Sequence, residues 1–187
     1  MRDQNDTPPF PQQPVAVDVD EVVTAMVTSD PELSYYLHRE TGAVALVSAE
    51  TRADLEEIYT ELGGDADLPE ASVAAAIRQR ALPDWQREAL LEADQVERGL
   101  GMRYVVVPRE QPQEAYRAME EFIRTMDDAR LRERLAEAIE GRGAFGRFRR
   151  VLSEDEEERA RWGAFNDARL REQVVAWLAE EGIVARP

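Results

Sequence analysis

The sequence predicts an α+β fold, and three observations predict it. Two β-rich runs flank a glycine turn in a hairpin over residues 33–47, a third short β-branched run occupies 103–107, and helical periodicity dominates the C-terminal half. Strands and helices do not alternate in βαβ fashion, which favours a small antiparallel sheet beside helices over a doubly wound parallel sheet.

Residues 1–16 hold Pro8, Pro9, Pro11 and Pro14 among polar side chains. Such a stretch is expected to be a disordered, proline-rich tail, with residues 17–187 forming a single α+β domain. Order is expected near Asp18, which with Glu21 fits a capping box. Val19, Val22, Val23 and Met26 then recur at helical spacing until Asp30-Pro31. Leu33, Tyr35 and Leu37 alternate with Ser34, Tyr36 and His38 along the first run, which spans Leu33 to Arg39. A turn at Glu40-Thr41-Gly42 leads into Ala43 to Val47, the second strand of the hairpin.

Residues 49–62 read as a helix with Leu55, Ile58, Tyr59 and Leu62 on one side. Weaker periodicity predicts helices at 71–81 and 84–97, separated by Pro83. Arg103 to Val107 is a strand closed by Pro108. Pro112 suits the first turn of a helix with Tyr116, Met119, Phe122, Ile123 and Met126 on one face. Asp127 or Asp128 caps the next helix, which Gly141 stops. Phe145, Phe148, Val151 and Leu152 mark a short helix. Ser153 to Glu156 is expected as a second capping box, opening one long helix or two that carry Trp162, Phe165, Trp177 and Leu178 and end at Gly182.

Charge and composition exclude several chemistries. The chain of 187 residues has a net charge of −16 and no cysteine. Residues 1–100 hold 21 acidic and 7 basic side chains, and residues 101–187 hold 18 and 16. All 23 basic residues are arginine. Disulfides, thiolate nucleophiles, Schiff-base lysines and a lysine general base are therefore impossible. A field of this sign opposes non-specific binding to nucleic acid or anionic lipid. No apolar run is long enough to span a bilayer, and no cleavage signal follows Met1, so the cytoplasm is the expected compartment and no membrane partner is expected.

Five segments carry a resemblance. They are Tyr35-Tyr36-Leu37 with Thr41-Gly42; Leu82-Pro83-Asp84-Trp85; Arg103 to Pro108; Gly141-Arg142-Gly143-Ala144-Phe145-Gly146-Arg147-Phe148; and Arg161-Trp162-Gly163-Ala164-Phe165 with Trp177-Leu178. Together, over residues 18 to 183, they are similar to uncharacterised protein family 0158, a bacterial family with no assigned activity. Gly146 departs from the pattern, standing where a larger residue is expected. The resemblance carries no active site over to this chain, and no cofactor is expected.

No constellation of residues spells out a reaction. His38 is the only histidine, no serine sits in a nucleophile elbow, and a structural role for His38 is expected. Asp65-Ala66-Asp67 begins like a calcium loop, but Pro69 and Glu70 stand where a ligand and the turn glycine belong. Asp18, Asp20 and Glu21 could hold a hard cation, although helix capping accounts for them. A carboxylate-pair glycosidase cannot be picked out among 39 carboxylates.

The exception to the acidic background is Gly141 to Arg150, with Arg142, Arg147, Arg149, Arg150 and no acid. At a helix start, free amides and bidentate guanidinium groups attract anions, so Arg142, Gly143, Arg147, Arg149 and Arg150 are the candidate binding residues. The structural reading takes Gly141 as a helix stop, Gly143 as a tight turn, both phenylalanines as core and the arginines as partners of Glu154 to Glu158. Charge runs are usually satisfied faces of that kind. The sequence points first to a non-enzymatic intracellular binding or regulatory protein that recognises a protein or small anion. A nucleic-acid-associated factor using the arginines of 142–150 comes second, and a carboxylate- or metal-dependent enzyme third.

Overall fold

The computed structural model describes residues 14–64 and 68–185. Most of the expected proline-rich tail, through residue 13, and the calcium-like Asp65 to Asp67 lie outside the described residues. Among those described there are eight helices and one three-stranded antiparallel sheet, an α+β architecture. The backbone gathers into two compact units, one up to Pro108 together with Leu178 onward, the other Arg109–Trp177.

In the first unit, Asp18 opens α1 (Val19–Val27) by accepting the Asp20 and Glu21 amides on Oδ1 at 3.0 and 3.2 Å. Strands β1 (Leu33–His38) and β2 (Val44–Ser48) form the hairpin, with Leu33 opposite Ser48 and Leu37 opposite Val44. Strand β3 (Tyr104–Val106) pairs on the other side of β1, His38 opposite Tyr104, giving the order β2-β1-β3. The expected strand at 103–107 is thus shorter by a residue at each end, although the Val107 amide still donates to the Tyr35 carbonyl at 2.9 Å.

Strand β1 is buried on both faces. Tyr36 and Leu37 are adjacent, hence on opposite faces, and both are buried. The central strand of this sheet is covered on both sides, and a strand so placed has no polar face to display. Against one face pack α2 (Ala49–Glu61), α3 (Glu70–Gln79) and α4 (Asp84–Gly99). Leu55, Ile58, Val73, Ile77, Leu90 and Val96 meet Tyr36, Ala45 and Val47 there. The chain end is tied to the hairpin region: the Val15 amide donates to the Val184 carbonyl at 2.8 Å, and Arg39 reaches the Glu181 carboxylate at 2.6 Å.

The second unit is helical, built from α5 (Pro112–Arg124), α6 (Ala129–Ile139), α7 (Ala144–Leu152) and most of α8 (Glu156–Glu180). Met119, Phe122, Leu135, Ile139, Phe148 and Leu152 form its core, flanked by Trp162 and Phe165. The Phe122, Phe148 and Trp162 rings meet edge to face, with Trp162 at 5.2 and 4.9 Å from the other two centroids. The helix start expected at Ser153 lies two residues further on. Ser153 ends α7, donating its hydroxyl to the Arg150 carbonyl at 2.6 Å. Asp155 caps α8, accepting the Glu158 amide on Oδ1 at 3.1 Å. A carboxylate suits the positive end of a helix better than a hydroxyl, and α8 then runs unbroken.

Candidate functional site: the α6–α7 turn and the groove beside α5

The basic segment lies where α6 stops and α7 starts. Glu140 leaves the helix in an extended conformation, and Gly141 and Gly143 turn the chain with φ of 69° and 77°. An L residue with a side chain resists that left-handed region, so two glycines in three residues make the tight reversal possible. Gly143 is the N-cap of α7 and has no side chain with which to cap it.

The four arginines have separate fates. Arg147 reaches back over the turn: its Nε donates to the Ala138 carbonyl at 2.9 Å, and its two terminal nitrogens donate to the carbonyls of Glu140 and Arg142. It closes the C-terminus of α6, whose last carbonyls have no partner inside the helix. Arg142, Arg149 and Arg150 are exposed, and no carboxylate among the described residues pairs with them. The acids that the structural reading assigned to these arginines have other partners. Glu154 pairs with Arg134 at 2.5 Å, Glu156 with Arg159 at 3.4 Å and Glu158 with Arg161 at 2.8 Å.

The phenylalanines differ as well. Phe148 is buried, whereas Phe145 is 41% exposed. Gly146 is exposed with open space where a Cβ would stand, so the larger residue expected there would meet no obstacle.

Phe145 forms one side of a groove of about 490 Å³ that the sequence did not reveal. Its other wall is α5, through Pro112, Tyr116, Arg117 and Glu120, while Gly141, Gly143 and Ala144 complete the rim. Pro112, Tyr116 and Glu120 recur every four residues, a stripe along one side of a helix. That spacing was visible in the sequence, but Tyr116 also fits the core face, and nothing local says which neighbour leaves the stripe uncovered.

Polar groups elsewhere serve structure. His38 Nδ1 accepts the Glu40 and Thr41 amides, both at 3.2 Å, and so supports the hairpin turn. Asp94, only 2% exposed, accepts the Tyr59 hydroxyl at 2.7 Å and the Arg98 Nε at 2.9 and 3.0 Å. Arg98 in turn donates to the Leu68 carbonyl at 2.7 Å. Burial, reinforced by the hydrogen bond to Asp94, pushes the Tyr59 hydroxyl well above the usual tyrosine range. Among the described residues no group of three His, Cys, Asp or Glu side chains is arranged to hold a metal ion. No described helix is long and apolar enough to cross a membrane.

Known proteins place the chain. The model of the Uncharacterised protein family (UPF0158) matches residues 82–185, more than half of the chain and all of the region from α5 to α8. A UPF0158 protein of Chlamydia trachomatis is 25% identical over 174 residues, 92% of this chain and 42% of its own length. A UPF0158 protein of Pseudomonas aeruginosa is 25% identical over 171 residues, 91% of this chain and 86% of its own. The chain therefore spans less than half the length of the chlamydial relatives it matches. No solved structure matches it. With the family model covering more than half of its residues, the chain belongs to the uncharacterised protein family UPF0158.

Proposed function

We propose that this chain is a non-catalytic intracellular binding protein that recognises an anionic group, on a partner protein or as a small anion, through the segment 142–150. One observation carries the reading. Arg142, Arg149 and Arg150 stand exposed without a carboxylate partner among the described residues, although Glu154, Glu156 and Glu158 lie close in sequence and pair with other arginines. An arginine face of that kind suits carboxylate or phosphate, which a guanidinium can hold bidentately. Gly143 sets Arg142 at the α7 N-terminus, where backbone amides and the helix dipole favour negative charge, while Arg149 and Arg150 stand in the last turn of the same helix. Arg147 supports the site from behind by holding the turn.

Sulfate and phosphate test this directly. An anion that binds only the folded state raises the melting temperature with its concentration. Added sodium chloride should weaken the rise, because exposed charges are screened over about 8 Å at physiological ionic strength. The triple replacement Arg142→Gln, Arg149→Gln, Arg150→Gln should fold and lose the shift. An equal shift in wild type and triple variant would remove the reading.

A nucleic-acid role is favoured by one feature, the exposed Phe145 between Arg142 and Arg149, since single strands are bound by aromatic rings among basic groups. The net charge of −16 works against it. Retention of a fluorescent single-stranded oligonucleotide by the wild type, and its loss in the triple variant, would make it the better reading.

A further inference from the structure

Building on the anion-binding reading, we propose that the groove between α5 and the start of α7 docks a short acidic peptide segment of a partner protein. One apolar side chain of that segment sits between Tyr116 and Phe145, and its carboxylates meet Arg117 and Arg149.

The groove is larger than a lone anion needs. Its volume of about 490 Å³ is in the range of about 300–1,000 Å³ found for sites that enclose organic ligands. Its apolar part is real surface: Phe145 is 41% exposed, while the neighbours that give α7 its core face, Ala144, Phe148 and Leu152, are buried. The core of this unit is complete without Phe145, so packing does not account for an aromatic ring at that position. A sulfate or phosphate would leave this ring unused, whereas Tyr116 already packs partly against the core.

Charge sets the chemistry of the occupant. Arg149 lies four residues after Phe145, one helical turn further along the same stripe of α7. Arg117 lines the opposite wall, exposed and without an ion-pair partner among the described residues. Glu120 is the one acid in the lining. It stands three residues from Arg117 on α5 and disfavours carboxylates beside it, which favours the α7 side of the groove for them. Gly141 has open space where a Cβ would project, which leaves the rim free for an extended chain to approach. A peptide with two to four carboxylates also avoids most of the repulsion that a chain of charge −16 exerts on a long polyanion.

The test uses the full chain and three probes: sodium sulfate, the blocked pentapeptide Asp-Glu-Phe-Asp-Glu, and the same peptide with serine for phenylalanine. Calorimetric or NMR titration should show the phenylalanine peptide binding about tenfold or more tightly than the serine peptide, as burial of one aromatic side chain allows. Phe145→Ala should abolish that preference and keep the sulfate response. Arg149→Gln should weaken both peptides. A sulfate response with equal binding of the two peptides, or Phe145→Ala binding the phenylalanine peptide as tightly as wild type, overturns the peptide groove and leaves the anion site standing. Absence of every response overturns both.

Discussion

The Nε of Arg147 donates to the carbonyl of Ala138 at 2.9 Å, across the turn that joins α6 to α7. Three carbonyls converge on this one guanidinium. The contact places Arg147 apart from the three arginines around it and gives the basic segment a structural brace as well as an exposed face.

Arg147→Gln should therefore destabilise the second unit by about 1–3 kcal/mol, chiefly by stranding the carbonyl of buried Ala138, since the Glu140 and Arg142 carbonyls are exposed and can turn to water. Arg147→Lys keeps the charge but cannot supply the planar fork, and should recover only part of the loss. Arg149→Gln should change stability by less than about 0.5 kcal/mol, as exposed substitutions do. Urea unfolding of the three variants checks this; equal midpoints for Arg147→Gln and Arg149→Gln would contradict the capping role.

Asp94 is the acceptor that holds Tyr59 of α2 and Arg98 of α4 together in the first unit. Asp94→Ala should cost about 3 kcal/mol, because it leaves a half-buried guanidinium and a phenol without their partner. Asp94→Asn keeps one acceptor oxygen and should cost less. Amide exchange in α2 and α4 reports on the loss locally, which matters in a chain of two compact units where a single global transition is not assured.

Much of this architecture was legible in residues. Asp18, Pro112 and Asp128 mark helix starts by chemistry that acts within one turn, and the structure places α1, α5 and α6 there. The Thr41-Gly42 turn likewise fixes the hairpin. The burial of Tyr36 was not legible locally, because it depends on α2 to α4, which pack onto the sheet from later in the chain. Asp155 displaced Ser153 as the cap because the length of α7 is set by Phe148 and Leu152 in the core. The arginines of 142–150 were visible as a charge run. Their division into one structural and three exposed groups depends on where Ala138 and Glu154 lie in space.

Gly42 and Gly101 offer a controlled comparison of two left-handed glycines. Both have positive φ, 75° and 78°. A Cβ on Gly42 would stand 2.2 Å from the Ala16 carbonyl oxygen, whereas one on Gly101 meets nothing within 4 Å. Gly101→Ala should cost about 1 kcal/mol, the left-handed penalty alone. Gly42→Ala adds a backbone collision and should cost about 3 kcal/mol or more, loosening the contact between residues 15–17 and the hairpin. Comparable thermal midpoints for the two variants would mean that the Ala16 segment yields freely.

Alkaline pH isolates Tyr59. The chain has no lysine and no cysteine, so tyrosine is the one side-chain type in it whose ordinary pKa lies near 10. Burial first, then the hydrogen bond to Asp94, raises the Tyr59 hydroxyl above its ordinary value. Burial, with Glu92 nearby, raises Tyr104 in the same direction. A folded value above the unfolded one means that the folded state favours the neutral phenol. The resulting stability is fully present below about pH 10, the unfolded value, and is lost as pH rises from there toward the folded value. The urea midpoint of the first unit should be level from pH 8 to about 9.5 and fall above 10. Tyr59→Phe should lower it by about 1 kcal/mol at neutral pH through the lost hydrogen bond, yet flatten the alkaline fall because phenylalanine cannot ionise. Tyr104→Phe separates the second contribution. A Tyr59→Phe protein that loses stability above pH 10 as steeply as the wild type would show that the phenol of Tyr59 ionises freely in the folded chain, and that Asp94 holds Arg98 alone.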